Sequence, residues 1–84
     1  MFLHVTAVNY IKVYELRVEF SNGMVKDVDL SGELHGEIFE PLKDVEFFKR
    51  VTVNVETNTT EWPNGADFAP EFLFEIGKEV KQVA

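Results

Sequence analysis

Residues 13–20 (VYELRVEF) alternate apolar and polar, with Tyr14, Leu16, Val18 and Phe20 on one side and Glu15, Arg17 and Glu19 on the other. A period of two marks a strand buried on one face. After Ser21-Asn22-Gly23, Met24, Val28 and Leu30 share a second parity. The turn length decides which residues meet. A two-residue Asn-Gly turn sets Val18 against Asp27 and Leu16 against Asp29, mixing apolar and acidic side chains on one face. A three-residue loop sets Phe20 against Met24, Val18 against Lys26, Leu16 against Val28 and Tyr14 against Leu30, with Arg17 facing Asp27 on the wet side. A one-residue slip turns every side chain over, so the core pattern selects the three-residue loop. That loop is a type I turn with Gly23 left-handed in a bulge.

Weaker alternation at Leu3, Val5 and Ala7 predicts a strand over 3–8, which Asn9 to Lys12 join to the hairpin. Downstream, Ser31-Gly32 starts a helical turn with Ser31 as its cap, and Glu37 to Leu42 reads as irregular because Pro41 stops any helix. Asp44 caps a short helix that turns Val45, Phe47 and Phe48 inward. Val51, Val53 and Val55 alternate as a strand. Glu56 to Thr59 form a turn, and Thr60 to Trp62 return as a short strand. Pro70 opens a final helix, since it disfavours helical geometry at Ala69. Leu73, Ile76, Val80 and Val83 keep helical spacing, with Gly77 as either a stop or an interior weak point. The expected fold is α+β: one compact domain over 1–84, a small mostly antiparallel sheet of four to five strands, and two or three short helices on one face.

Composition narrows the function classes. The 84 residues carry 15 acids against 8 bases, a net charge of −7, with 45% hydrophobic residues and no cysteine. Such a chain can bury a core without disulfides and is too apolar for intrinsic disorder. An acidic balance argues against a phosphate-tracking nucleic-acid binder acting on its own. No apolar run reaches the length of a membrane span, and residues 1–8 lack the basic flank and cleavage site of a signal peptide. The expected setting is the cytoplasm of a bacterial-type cell, with no membrane partner.

Candidate chemistry is sparse. His4 and His35 have no carboxylate cluster nearby, and His35-Gly36-Glu37 offers two ligands where a metal needs three or four. Ser21 and Ser31 have turn or cap positions, and the five glycines are too scattered for a phosphate loop. Asp27 and Asp29 share a strand face and could act as acid and base, but read more simply as solvated charges. No catalytic residue, metal ligand or cofactor is expected. Eight phenylalanines are more telling. Phe72 and Phe74 point to different faces of the last helix, and Phe47 and Phe48 likewise diverge, so at least one aromatic stays partly exposed. Two such residues side by side make an interaction patch.

The order Phe20-Ser21-Asn22-Gly23, Val28-Asp29-Leu30, Gly36-Glu37-Ile38-Phe39-Glu40-Pro41-Leu42, Phe47, and Trp62-Pro63-Asn64-Gly65-Ala66-Asp67-Phe68-Ala69-Pro70-Glu71 resembles the small bacterial family called domain of unknown function 2442. The likeness covers about residues 5–76, and the W-P-N-G-A-D segment is its most specific part. The resemblance implies a compact α+β domain with no established activity or catalytic residue. Some members carry a C-terminal helix-turn-helix domain, and many lie beside a second small protein, as toxin–antitoxin pairs do. This chain ends at Ala84, so no appended DNA-binding domain is expected.

Two functional readings stand side by side. One is a non-enzymatic protein-interaction module, the antitoxin-like half of a pair, whose acidic surface suits a basic protein partner. The other is a small-molecule-binding or enzymatic domain using the Trp62–Asp67 loop. The candidate binding residues are Trp62, Asn64, Asp67 and Phe68: the amide and carboxylate as polar contacts, the rings as an apolar wall. The structural reading of the same loop has Trp62 plugging the core, Pro63-Asn64-Gly65 turning the chain, and Asp67 accepting hydrogen bonds from nearby backbone amides.

Overall fold

In the computed structural model, which describes residues 2–80, two antiparallel strands meet in the register that the core pattern selects. β1 spans Val5–Lys12, β2 Glu15–Phe20 and β3 Val25–Asp29. Between β2 and β3, Leu16 faces Val28, Val18 faces Lys26 and Arg17 faces Asp27. Leu16, Val18 and Val28 are fully buried, with Phe20 nearly so. The Phe20 amide donates to the Met24 carbonyl (2.9 Å), the Gly23 amide donates to the Phe20 carbonyl (3.0 Å), and Gly23 has φ 87°. These are the bonds of a three-residue loop whose last residue must be left-handed. The Leu30 amide donates to the Tyr14 carbonyl at 2.8 Å, extending the pairing past the end of β3.

The sheet has order β1-β2-β3-β6, with β6 at Lys78–Glu79, and a separate two-stranded ribbon joins β4 (Thr52–Asn54) to β5 (Thr59–Glu61). The helical pieces are a 3₁₀ helix over Glu37–Lys43, α1 over Val45–Phe48 and α2 over Pro70–Ile76. Asp44 caps α1 as expected, its carboxylate accepting from the Glu46 amide at 3.0 Å. Pro70 opens α2, and Asn58 turns the ribbon with φ 61°.

Four expectations are corrected by tertiary structure. First, Asn9 to Lys12 are not a link: β1 runs through them to Lys12, and the connection shrinks to Val13 and Tyr14. The parity signal fails because a register shift between Val5 and Ala7 moves the inward positions from odd to even residues. Val8 then lies across from Val18, and Tyr10 from Leu16. Secondly, Ser31-Gly32 forms a simple turn, not a helix start; the Glu33 amide donates to the Leu30 carbonyl at 2.9 Å.

Thirdly, Pro41 does not prevent helical structure. It lies inside the 3₁₀ helix, where a non-proline residue at its place would donate to the Ile38 carbonyl. The Asn64 side-chain amide donates to that carbonyl instead, at 2.8 Å. The 3₁₀ helix is thus completed from 26 residues away in sequence.

Fourthly, α2 ends at Gly77 and Val80 is not helical. Lys78–Glu79 forms β6 against β3, and the Val80 amide donates to the Val25 carbonyl at 2.9 Å. A Cβ on Gly77 would lie 2.9 Å from both the Leu73 carbonyl oxygen and the Lys26 Cβ, so only glycine lets the chain pass β3 this closely. Lys26 closes the end of the helix: its amine donates to the Phe74 carbonyl (2.7 Å) and sits 3.6 Å from the Phe74 ring centre. Val83 lies outside the described residues.

Candidate functional site

The segment from Thr59 to Phe72 divides into a closed part and an open part. Trp62 is 1% exposed, and its indole N–H donates to the Phe48 carbonyl at 2.8 Å. Its ring meets Phe48 and Phe68 at centroid distances of 5.5 and 5.9 Å. Apolar body and polar edge are both satisfied, so Trp62 presents no surface to a ligand. The loop after it repeats the first hairpin turn. The Trp62 amide donates to the Ala66 carbonyl (2.9 Å), the Gly65 amide to the Trp62 carbonyl (2.9 Å), and Gly65 has φ 87°.

Asn64 is occupied on both ends of its amide group. The oxygen accepts from the Ala66 backbone amide (3.2 Å) and the nitrogen donates to the Ile38 carbonyl. It takes the backbone-bonding part expected of Asp67. The Asp67 backbone bridges to Glu61, while its exposed carboxylate accepts no hydrogen bond among the described residues. Thr59 donates its hydroxyl to the Phe68 carbonyl, fixing the chain where it leaves the ribbon.

Phe68 belongs to the open part. Its ring stacks on Phe39 at 4.8 Å and 25°, and on Phe72 at 5.7 Å and 17°. All three rings are half-buried, and Ile38, the residue before Phe39, is 47% exposed. The two segments that carry these rings, 37–43 and 67–76, also carry the exposed residues Glu37, Glu40, Asp67, Glu71 and Glu75. Lys43 is the one base in segments 37–43 and 67–76, and it is paired with Glu40 at 3.1 Å. The structure therefore leaves Phe68 and Asp67 at the surface, buries Trp62 against Phe68, and ties the exposed Asn64 to the Ile38 backbone. Phe39 and Phe72 join Phe68 without a sequence signal that pairs them. Phe72 and Phe74 do diverge as the helix geometry requires, Phe74 meeting Phe20 at 5.1 Å.

The outer face of the sheet is organised differently. Arg17 donates to both oxygens of Asp27, at 2.8 and 3.1 Å. That bond holds the Asp27 carboxyl below its ordinary range, and the Ser31 amide does the same for Asp29. Both carboxylates thus have local partners on the outer sheet face, Arg17 for Asp27 and the Ser31 amide for Asp29. Among the described residues no group of three or more histidines and carboxylates is arranged to hold a metal ion, and no helix is long and apolar enough to cross a membrane.

Among curated proteins there is no match to this chain. A crystal structure of a protein from Nitrosomonas europaea ATCC 19718, described as a "putative DNA binding protein", aligns with a TM-score of 0.80 at 29% identity. The alignment covers 93% of this chain and 50% of that one, so this chain spans half the length of that neighbour. The model of the family described as protein of unknown function DUF2442 matches residues 5–79. That match takes in both N-G loops, the 3₁₀ helix and α2, and the chain belongs to this family.

Proposed function

We propose that this domain is a non-enzymatic protein-interaction module, acting in a bacterial-type cytoplasm as the acidic half of a pair with a basic protein. The supporting observation is how the charges are distributed. Among the described residues, Lys12, Arg17, Lys43 and Lys49 each lie within ion-pair distance of a carboxylate, and Lys26 is turned onto the end of α2. Few bases are left to meet phosphates. By contrast, only Glu15, Asp27, Glu40 and Glu46 among fifteen acids have such a partner among the described residues. The free charge of the surface is negative, which steers a cationic partner in and repels a polyanion.

A second reading draws on the neighbour described as a putative DNA-binding protein. The shared fold accounts for 50% of that protein, and this reading gives the fold itself a part in DNA contact. One pair of experiments separates the readings. Co-expression with the product of the adjacent gene should give a complex that co-purifies and weakens as salt is raised. A salt-sensitive, sequence-specific gel shift by the isolated chain, with no such complex, overturns the interaction reading.

A further inference from the structure

We propose that the row formed by Phe39, Phe68 and Phe72, with the exposed Ile38 that precedes Phe39 in the chain, is a seat for a cationic amphipathic helix of a partner protein. The proposal rests on the interaction reading and adds its place and the chemistry of the partner. Three observations carry it.

The first is spacing. The rings of Phe39, Phe68 and Phe72 stack at steps of 4.8 and 5.7 Å and are nearly parallel. Apolar side chains on one face of a helix recur about every 5.4 Å, whereas same-face residues of a strand recur about every 6.8 Å. The row matches a helix, whose anchors at one-turn intervals lie against successive rings.

The second is pre-organisation. Asn64 holds the Ile38 carbonyl, Thr59 holds the Phe68 carbonyl, and Trp62 lies under Phe68. The row is set before a partner arrives, which lowers the ordering cost of binding.

The third is charge. The two segments that carry the row hold five exposed carboxylates and a single base, Lys43, which is already paired with Glu40. A nucleic acid or an anionic membrane is repelled here, and a second copy of this chain would bring two acidic rims together. Lysines or arginines flanking the apolar stripe of a helix complement the rim.

The test is an NMR titration of the isotope-labelled chain with a synthetic leucine–lysine peptide whose leucines fall on one helical face. The control has the same composition, with the leucines scattered around the helix. Amide shifts should centre on residues 37–40 and 67–75, and the scattered peptide should bind about tenfold more weakly. Glu71→Lys with Glu75→Lys should weaken the amphipathic peptide to a similar degree, and Ile38→Asp should do so as well. Glu71, Glu75 and Ile38 are all exposed, so an unchanged melting curve is expected and verifies folding. Equal binding of the two peptides, shifts centred on the outer sheet face, or unaffected binding by the variants overturns the proposal. Co-purification of the adjacent gene's product with the Glu71→Lys, Glu75→Lys chain at wild-type yield also overturns this seat, while leaving the interaction reading in place. Expected peptide results with no co-purifying product uphold the seat and reject the adjacent gene as its source of partner.

Discussion

The chain makes the same turn twice and puts it to different uses. Phe20-Ser21-Asn22-Gly23-Met24 and Trp62-Pro63-Asn64-Gly65-Ala66 each begin with a buried aromatic residue and place glycine at φ 87°. In each, the asparagine oxygen accepts from the amide two residues on, at 3.0 Å in the first and 3.2 Å in the second. The difference lies in the other end of the asparagine. The Asn22 amide nitrogen makes no hydrogen bond among the described residues, whereas that of Asn64 donates to Ile38 and completes the 3₁₀ helix around Pro41. One loop reverses a hairpin; the other also clamps two distant segments and carries the phenylalanine row on its far side. Turn chemistry alone makes the two look equivalent, and tertiary partners separate them.

The comparison breaks most violently at the aromatic that opens the second loop. Trp62→Ala should cost about 3–5 kcal/mol, through an unfilled core volume and an orphaned Phe48 carbonyl, enough to unfold a small domain of ordinary stability. Trp62→Phe keeps most of the volume and should lose only part of that amount. Thermal unfolding followed by circular dichroism measures both. A Trp62→Ala chain that melts like wild type would refute the closed reading of this half of the segment.

Next come the two glycines, where the loops should behave alike. Gly23→Val and Gly65→Val each force a β-branched residue into the left-handed region, at a cost of about 1–2 kcal/mol. Beyond the adjacent residues, no atom lies within 4 Å of an added Cβ at either position, so backbone strain is the shared cause of the loss. Denaturant midpoints should therefore drop by similar amounts. A much larger loss at Gly65 would mean that the second loop is constrained by something other than its turn.

How much of this was legible in the sequence follows the same division. The β2–β3 register could be read because both strands show their parity locally and only one loop length keeps acids out of the core. The starts of α1 and α2 were legible from Asp44 and Pro70. The Thr6 region was not, because a bulge inverts parity without changing composition. Pro41 misled because the bond that it cannot make is supplied from Asn64, and β6 was hidden because the fit of Gly77 against Lys26 exists only after folding. At the candidate site, Trp62, Asn64, Asp67 and Phe68 stood out by residue type, but which are supports and which are surface depends on partners up to 26 residues away. Phe39 was invisible as a member of the row for that reason.

A smaller effect isolates what the second asparagine adds. Asn22→Ala and Asn64→Ala both delete the bond inside the turn, but only Asn64→Ala also frees the Ile38 carbonyl. Asn64→Ala should be the more destabilising by about 0.5–1.5 kcal/mol, the net worth of one solvent-accessible hydrogen bond. It should also loosen the row, so hydrogen exchange at Phe39 and Glu40 should quicken in that variant and not in Asn22→Ala. Equal stabilities and equal exchange would reduce the two loops to one device.

The smallest expected effect on stability is at Asp67, one residue beyond the clamp. Its carboxylate is exposed and accepts no hydrogen bond among the described residues, so Asp67→Ala should leave stability within about 0.5 kcal/mol of wild type. The same change removes one of the five exposed carboxylates in the segments that carry Phe39, Phe68 and Phe72. A rim charge acts mainly on encounter, so the association rate of a cationic peptide should fall and its dependence on salt should flatten, with dissociation nearly unchanged. Asn64→Ala should act in the opposite sense, leaving the encounter rate alone and speeding dissociation from a loosened row. Stopped-flow measurements at two salt concentrations separate these signatures. If Asp67→Ala lowers the melting temperature as far as Asn64→Ala does, Asp67 is part of the scaffold and the open half of the segment begins later, at Phe68.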